Sequence, residues 1–197
     1  MFFNKENKKA FFAVAKTGST SLTEFLNTLG WKWLNCNPDH DLNEIIAAYP
    51  NLANYNFYGF IRDPLLRFES CILQIKRADT NSYFKDIVEK QFNKNVEQVS
   101  YDEVIDVFEL VKEKFPLHLI KQSFRLNHSK VTVLDFDNYE AELRRATGNT
   151  TDPVPVLNVA TDFGKSVVTD KVRAFVREYY AADYALAKDR LGKEYNP

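Results

Sequence analysis

Short apolar runs alternate along the chain with longer stretches in which apolar residues recur every three to four positions. The runs near 11–15, 31–36, 56–62 and 131–135 read as β-strands. Phe11-Phe12-Ala13-Val14 and Phe57-Tyr58-Gly59-Phe60-Ile61 are apolar at consecutive positions, as strands covered on both faces are. Helical spacing places Leu22, Phe25, Leu26 and Leu29 on one face of a helix over 19–29. It recurs over 41–49, 64–76, 101–113, 138–147 and 169–190, where Val172, Phe175, Val176 and Tyr179 mark the last buried face. This alternation predicts an α/β fold over residues 1–197, a single-domain parallel β-sheet flanked by helices. Residues 77–100 turn polar, with Tyr83, Phe84 and Phe92 interspersed, and read either as a helical excursion over the substrate side or as a solvated structural helix. The segment 149–168, with Pro153 and Pro155 and no period, reads as a long ordered loop.

Two strand ends carry chemistry. The first runs through Ala15 into Lys16-Thr17-Gly18-Ser19-Thr20-Ser21 and on into a helix. Backbone N–H groups at a helix N-terminus lack intrahelical partners and carry partial positive charge, so such a turn holds an anion. Lys16 adds a full charge, Gly18 permits close backbone approach, and Thr17, Ser19, Thr20 and Ser21 add hydroxyl donors. The plainer reading is an ordinary capped helix after a strand. The second strand ends at Arg62-Asp63-Pro64, with Pro64 suited to the first turn of a helix. Ser70 follows Arg62 by about two helical turns and can reach back toward an anion held by Arg62, with Arg67 as a second donor. Here the plainer reading is a local Arg62–Asp63 ion pair and an incidental Ser70 hydroxyl.

Lys-Thr-Gly-Ser-Thr-Ser after one strand, paired with Arg-Asp-Pro-x-x-Arg-x-x-Ser after another, resembles the sulfotransferases, especially the carbohydrate sulfotransferase branch in a small soluble bacterial or viral form. The resemblance implies a P-loop-like sulfotransferase fold and 3′-phosphoadenosine 5′-phosphosulfate (PAPS) as sulfuryl donor. Lys16, Thr17, Gly18, Ser19, Thr20 and Ser21 would bind its 5′-phosphosulfate end, and Arg62 with Ser70 its 3′-phosphate. His118-Leu119-Ile120-Lys121-Gln122, the run Val133 to Leu143, and Leu157-Asn158 followed by Tyr180-Ala181-Ala182-Asp183-Tyr184 resemble later blocks of the family, so the similarity spans nearly the whole chain. Ala15 stands where the family usually has proline, and the chain is short for the family.

The chemistry implied is in-line transfer of a sulfuryl group to an acceptor hydroxyl or amine, with a carbohydrate as the family-level acceptor. A sulfuryl group carries less negative charge than a phosphoryl group, so no metal is expected. Lys16 is placed as the catalytic group that stabilises the leaving oxygen. His40, at the head of a predicted helix, is placed as the catalytic base, by analogy with the histidine preceding the arginine motif in cytosolic sulfotransferases. His118, Glu44 and Glu69 are alternatives, and His40 also reads as part of a polar turn. His128 reads as a surface turn. Trp31 and Trp33 would face one way from the second strand, as core or as a stacking platform for a sugar. Lys76 and Arg77 are either solvated or contacts for an anionic glycan.

Composition narrows the partners. The 197 residues carry 26 basic and 27 acidic side chains, a net charge of −1, so no global field draws nucleic acid. A hydrophobic content of 45% suffices for a core. Cys36 and Cys71 stand in apolar surroundings without metal spacing, which fits a reducing compartment better than a disulfide framework, the polar start does not read as a signal peptide, and no apolar run reaches the roughly 20 residues that span a bilayer. A cytoplasmic enzyme without a membrane partner is expected. Two rivals stand beside the sulfotransferase. Val131-Thr132-Val133-Leu134-Asp135 resembles a strand ending in a magnesium-binding aspartate, which suits a metal-dependent nucleotide kinase. Gly164-Lys165-Ser166 is not the end of a Walker A loop, because Val159 stands where its first glycine belongs. A non-catalytic adenosine 3′,5′-bisphosphate-binding protein is the other rival.

Overall fold

A computed structural model of the chain describes residues 1–37, 39–77, 82–114, 116–156 and 166–196. Among these, β1 (Phe2–Asn4), β2 (Lys9–Phe12), β3 (Lys32–Trp33), β4 (Asn56–Ile61) and β5 (Val131–Asp135) form one sheet in the order β3-β1-β2-β4-β5. The helices are α1 (Ser19–Thr28), α2 (Leu42–Ala48), α3 (Pro64–Arg77), α4 (Ser82–Phe92), α5 (Tyr101–Asp106), α6 (Phe108–Lys114), α7 (Pro116–Leu119), α8 (Ser123–Leu126), α9 (Tyr139–Thr147), α10 (Asp170–Tyr179) and α11 (Ala181–Leu191).

The expected parallel sheet is a mixed one. β2, β4 and β5 run parallel, with Phe11 opposite Tyr58 and Gly59 opposite Val133. β1 pairs antiparallel with both β2 and β3. The reason is the short turn 5–8, long enough for a hairpin and too short for a crossover. In that turn Asn4 Oδ1 accepts from the N–H groups of Glu6 (3.0 Å) and Asn7 (3.2 Å), and Lys8 takes a φ of 51°. The polar start of the chain thus conceals a strand. The strand expected over 31–36 shrinks to Lys32–Trp33 at the sheet edge.

Side chains alternate strictly across the central strands. Ala10, Phe12, Phe57, Val131 and Val133 pack against Leu42, Ile45, Leu126 and Leu186 on one face. Phe11, Phe60 and Leu134 pack against Leu22, Phe25, Leu26 and Leu143 on the other. Both faces being buried explains why these strands read as unbroken apolar runs. A third core lies among the helices, where Phe68 and Ile72 of α3 meet Phe84 and Val88 of α4, Val104, Val111, Val172 and Val176. Phe84 and Val88 of α4 are buried there while Lys85, Asp86, Glu89 and Lys90 are exposed, so α4 is a structural helix with one packed face and one solvated face.

Two of the expected helices are broken, whereas the one expected over 64–76 is continuous as α3. The helix of 101–113 splits at Val107 (φ −115°), and that of 169–190 splits at Tyr180 (φ −99°, ψ 23°). The second break matters for the site. It aims the Tyr180 hydroxyl at the Leu119 carbonyl (3.0 Å) and the buried Asp183 carboxylate at the N–H groups of Gln122 (2.9 Å) and Ser123 (2.7 Å).

Candidate functional site

Ligand crevices in open α/β sheets lie beyond the C-terminal ends of parallel strands. In this chain β2, β4 and β5 end side by side and open into a cavity of about 550 Å³. Lys16, Gly18, Ser19, Thr20, Ser21, Arg62 and Ser70 line it, so the two sequence motifs meet in one space. Phe136–Ala141, after β5, and Val154–Val156 complete the wall.

The first loop is held in an uncommon backbone conformation. Lys16 has a φ of 65°, a left-handed conformation that costs a non-glycine residue of order 1–3 kcal/mol. Two guanidinium groups hold it there: Arg62 Nη1 donates to the Lys16 carbonyl (3.1 Å) and Arg67 Nε to the Ala15 carbonyl (3.0 Å). Gly18 (φ 73°) precedes α1 without a side-chain cap. A Cβ at Gly18 would sit 2.8 Å from the Tyr139 ring, whose hydroxyl donates to the Gly18 carbonyl (3.1 Å).

Two expected anion donors face elsewhere. The Thr17 side chain is buried, and its hydroxyl donates to the Val14 carbonyl (3.0 Å), closing the turn. Arg67, only 1% exposed, points inward as a clamp: besides Ala15 it reaches the His118 carbonyl (3.1 Å) and lies over the Tyr180 ring. A guanidinium joining three segments that are distant in sequence fixes their relative positions through charge-assisted bonds.

Arg62 sits at the end of β4 with its guanidinium over the Phe136 ring, 5.0 Å from the ring centre. Its backbone is gripped by the Gln122 amide, which accepts from Arg62 N–H and donates to Arg62 O, both at 2.9 Å. Asp63 caps α3, accepting from Leu65 N–H (2.7 Å) and Leu66 N–H (3.1 Å), so its Oδ1 serves the helix. The His-x-x-x-Gln block and the Tyr180–Asp183 pair therefore form one brace behind Arg62.

Burial, with Arg62 and Arg77 nearby, holds the Lys16 ammonium below its ordinary value. Burial also lowers Arg62, against the pull of Cys71, Asp63, Asp137 and Glu69. Cations drawn together in a partly buried cleft disfavour one another, and a bound anion relieves that cost.

The histidines separate clearly. His40 precedes Asp41, which forms a capping box with Glu44 at the start of α2 (2.7 and 2.9 Å), and His40 lines neither this cavity nor its neighbour. The same box occupies Glu44. His128 lies in a turn, its Nδ1 accepting from Lys130 N–H (3.0 Å). His118 is half-buried and lines a second cavity of about 410 Å³ that shares Ser19 and Thr20 with the first. Burial, followed by the charges of Lys16 and Arg67, holds its imidazole below the ordinary 6.5.

Asp135 accepts from Asp137 N–H (3.0 Å) and Asn138 Nδ2 (2.6 Å) and pairs with Lys193 (2.7 Å), as a structural carboxylate does. Trp31 is buried edge-on against Phe11, whereas Trp33 is 56% exposed, so the two indoles part company. Lys76 is buried with its Nζ on the Val99 carbonyl (2.5 Å), away from both cavities. Leu157-Asn158 and Gly164-Lys165 lie outside the described residues. The wall residues Phe136–Tyr139 lie within the family-like run Val133 to Leu143, which named no site residue; their place directly after a parallel strand is the signal for that role. Comparison of the chain with protein-family models, with curated proteins and with solved structures finds no match.

Proposed function

We propose that this cavity binds PAPS and that the chain transfers its sulfuryl group to an acceptor hydroxyl, with a carbohydrate as the acceptor class the family resemblance suggests. The observation that carries the reading is the convergence of Lys16 and Gly18–Ser21 with Arg62 and Ser70 on one cavity. Two anion grips on one space suit a nucleotide with separated phosphate groups. The donor fits the residues present. A volume of about 550 Å³ lies within the roughly 300–1,000 Å³ of small-molecule sites, and Phe136, Val154 and Val156 offer an apolar wall for a base.

In this reading Lys16 and the first turn of α1 hold the phosphosulfate, and the Lys16 ammonium stabilises the oxygen that leaves sulfur. Arg62 and Ser70 hold the 3′-phosphate. The acceptor attacks in line, opposite the departing phosphate oxygen. The kinase alternative needs a carboxylate able to serve magnesium; Asp135 is engaged by Lys193, Asn138 and a backbone N–H, and of the carboxylates lining the cavity Asp137 pairs with Lys193 and Glu140 with Arg144.

Calorimetric titration with adenosine 3′,5′-bisphosphate, AMP and ATP with magnesium tests the reading, using the wild-type chain and Arg62→Ala. Preference for the bisphosphate, lost in Arg62→Ala, supports it. Equal or tighter binding of ATP with magnesium overturns it in favour of the kinase. Tight bisphosphate binding without turnover on any acceptor leaves a nucleotide-binding protein.

A further inference from the structure

We propose that the second cavity is the acceptor site, that it takes a small acidic ring compound bearing a hydroxyl group, and that His118 removes the proton from that hydroxyl. The inference rests on the sulfotransferase reading of the first cavity.

Position is the first argument. The two cavities share Ser19 and Thr20, and Ala13, Val14 and Ala15 line the second where Lys16 lines the first. They therefore adjoin at the start of α1, beside the loop that would hold the phosphosulfate. An in-line displacement needs the acceptor oxygen to reach sulfur from the side away from the leaving oxygen, and a second cavity adjoining the first at Ser19 and Thr20 gives the acceptor a separate approach.

The lining supplies the second argument. Trp33 and Leu117 stand 56% and 50% exposed in a cavity wall, a state that folding alone does not favour. The Trp33 indole is fixed edge-on against Phe2 at 4.8 Å, which leaves a firm platform for a flat ring. Lys121 and Arg125 line the same space, and no carboxylate does so among the described residues. Both cations are held in place: Arg125 donates to the Asn37 carbonyl (3.2 Å), and Lys121 lies 5.0 Å from the centre of the Tyr179 ring. An apolar platform beside two anchored cations selects an anionic ring compound.

His118 supplies the third. Its carbonyl accepts from Arg67 (3.1 Å) and from Cys71 Sγ (2.8 Å), so its backbone is fixed in the wall of the second cavity. Burial, and then the charges of Lys16 and Arg67, hold its imidazole below the ordinary 6.5, which favours the neutral form that can accept a proton. In the step, the acceptor O–H proton passes to an imidazole nitrogen of His118 as the acceptor oxygen bonds to sulfur. The bond from sulfur to the 5′-phosphate oxygen breaks, and its electron pair stays on that oxygen. Adenosine 3′,5′-bisphosphate departs, and the imidazolium returns its proton to water.

The test begins with the chain saturated with adenosine 3′,5′-bisphosphate. It is titrated with two matched pairs, 4-nitrophenyl β-glucuronide against the glucoside and 4-hydroxybenzoate against 4-hydroxybenzamide. The expected result is binding of the acidic member at least tenfold tighter in one pair, with the preference lost in Arg125→Gln and Lys121→Met. Trp33→Ala should weaken that ligand at least tenfold. With the acidic ligand that binds and PAPS, His118→Ala should lower the single-turnover rate on the order of 10²–10⁴-fold with both ligands still bound, and added imidazole should restore part of it. Absence of any acidic preference, its survival in both cation variants, or an unchanged rate in His118→Ala overturns the proposal. Failure of the nucleotide to bind the wild-type chain is a separate result, which overturns the sulfotransferase reading itself.

Discussion

Gln122 meets the backbone of Arg62 with both ends of its side-chain amide, Oε1 accepting from Arg62 N–H and Nε2 donating to Arg62 O at 2.9 Å each. The side chain thus extends β4 by one rung and fixes the residue that carries the guanidinium. Gln122→Ala leaves both groups without that partner and should cost about 1–3 kcal/mol of stability. Urea denaturation measures the loss, and titration with adenosine 3′,5′-bisphosphate should show weaker binding although Gln122 does not line the cavity of Lys16 and Arg62. Unchanged binding in a stably folded variant would remove the brace from the account of the site.

Arg62 has two tasks, gripping the Lys16 carbonyl and lining the cavity. Arg62→Ala should weaken adenosine 3′,5′-bisphosphate by roughly 10- to 100-fold, the scale of a lost hydrogen bond to a charged group. AMP, which lacks the 3′-phosphate, should lose less. Arg62→Lys should recover only part of the affinity, because an ammonium cannot reproduce the planar fork. Calorimetry on the three proteins checks the order.

Gly18→Ala combines backbone strain at φ 73° with a Cβ 2.8 Å from the Tyr139 ring. A destabilisation of about 1–3 kcal/mol is expected, read as a lower midpoint in urea. Tyr139→Ala in the same chain should relieve the collision and leave the φ penalty, so the double variant should lose less than the sum of the singles.

Asp183 is fully buried and holds the Gln122 and Ser123 N–H groups at 2.9 and 2.7 Å. Asp183→Ala should lose about 2–6 kcal/mol, because two buried N–H donors each lose their acceptor at about 1–3 kcal/mol, whereas Asp183→Asn should lose less because one oxygen remains to accept. Chemical denaturation distinguishes the two.

His118 is held below 6.5 in the folded chain, chiefly by burial and then by Lys16 and Arg67. As pH falls, the unfolded chain therefore takes up this proton first. The stabilisation is whole above 6.5 and is lost as pH falls through the lower folded value. His118→Asn should flatten that part of the stability profile, which urea titrations from pH 8 to pH 5 would resolve as a shrinking difference between the two proteins. Sulfuryl transfer, if His118 takes the proton, should hold steady through neutrality and fall on the acid side over the same window.

Local pattern by itself determined the strand, turn and helix around Lys16–Ser21 and the strand, proline and helix around Arg62–Ser70. Hydrophobic periodicity and turn chemistry act over a few residues and are written where they act. Those two segments became one cavity because β2 and β4 lie side by side, a pairing that the unbroken apolar character of Phe57–Ile61 foreshadowed. What only tertiary structure decided is the direction of individual side chains. Thr17 turns into its own loop, Arg67 becomes an internal clamp, His40 is left beside a helix cap, and His118 is brought within reach of the charge on Lys16. The antiparallel β1 was hidden because three residues are too few to show a period, and its pairing with β2 completes it. A side chain's role depends on partners far along the chain, as the separation of Arg67 from Ala15 and His118 shows. Packing free energy selects those partners, and spacing along one stretch of sequence carries no record of it.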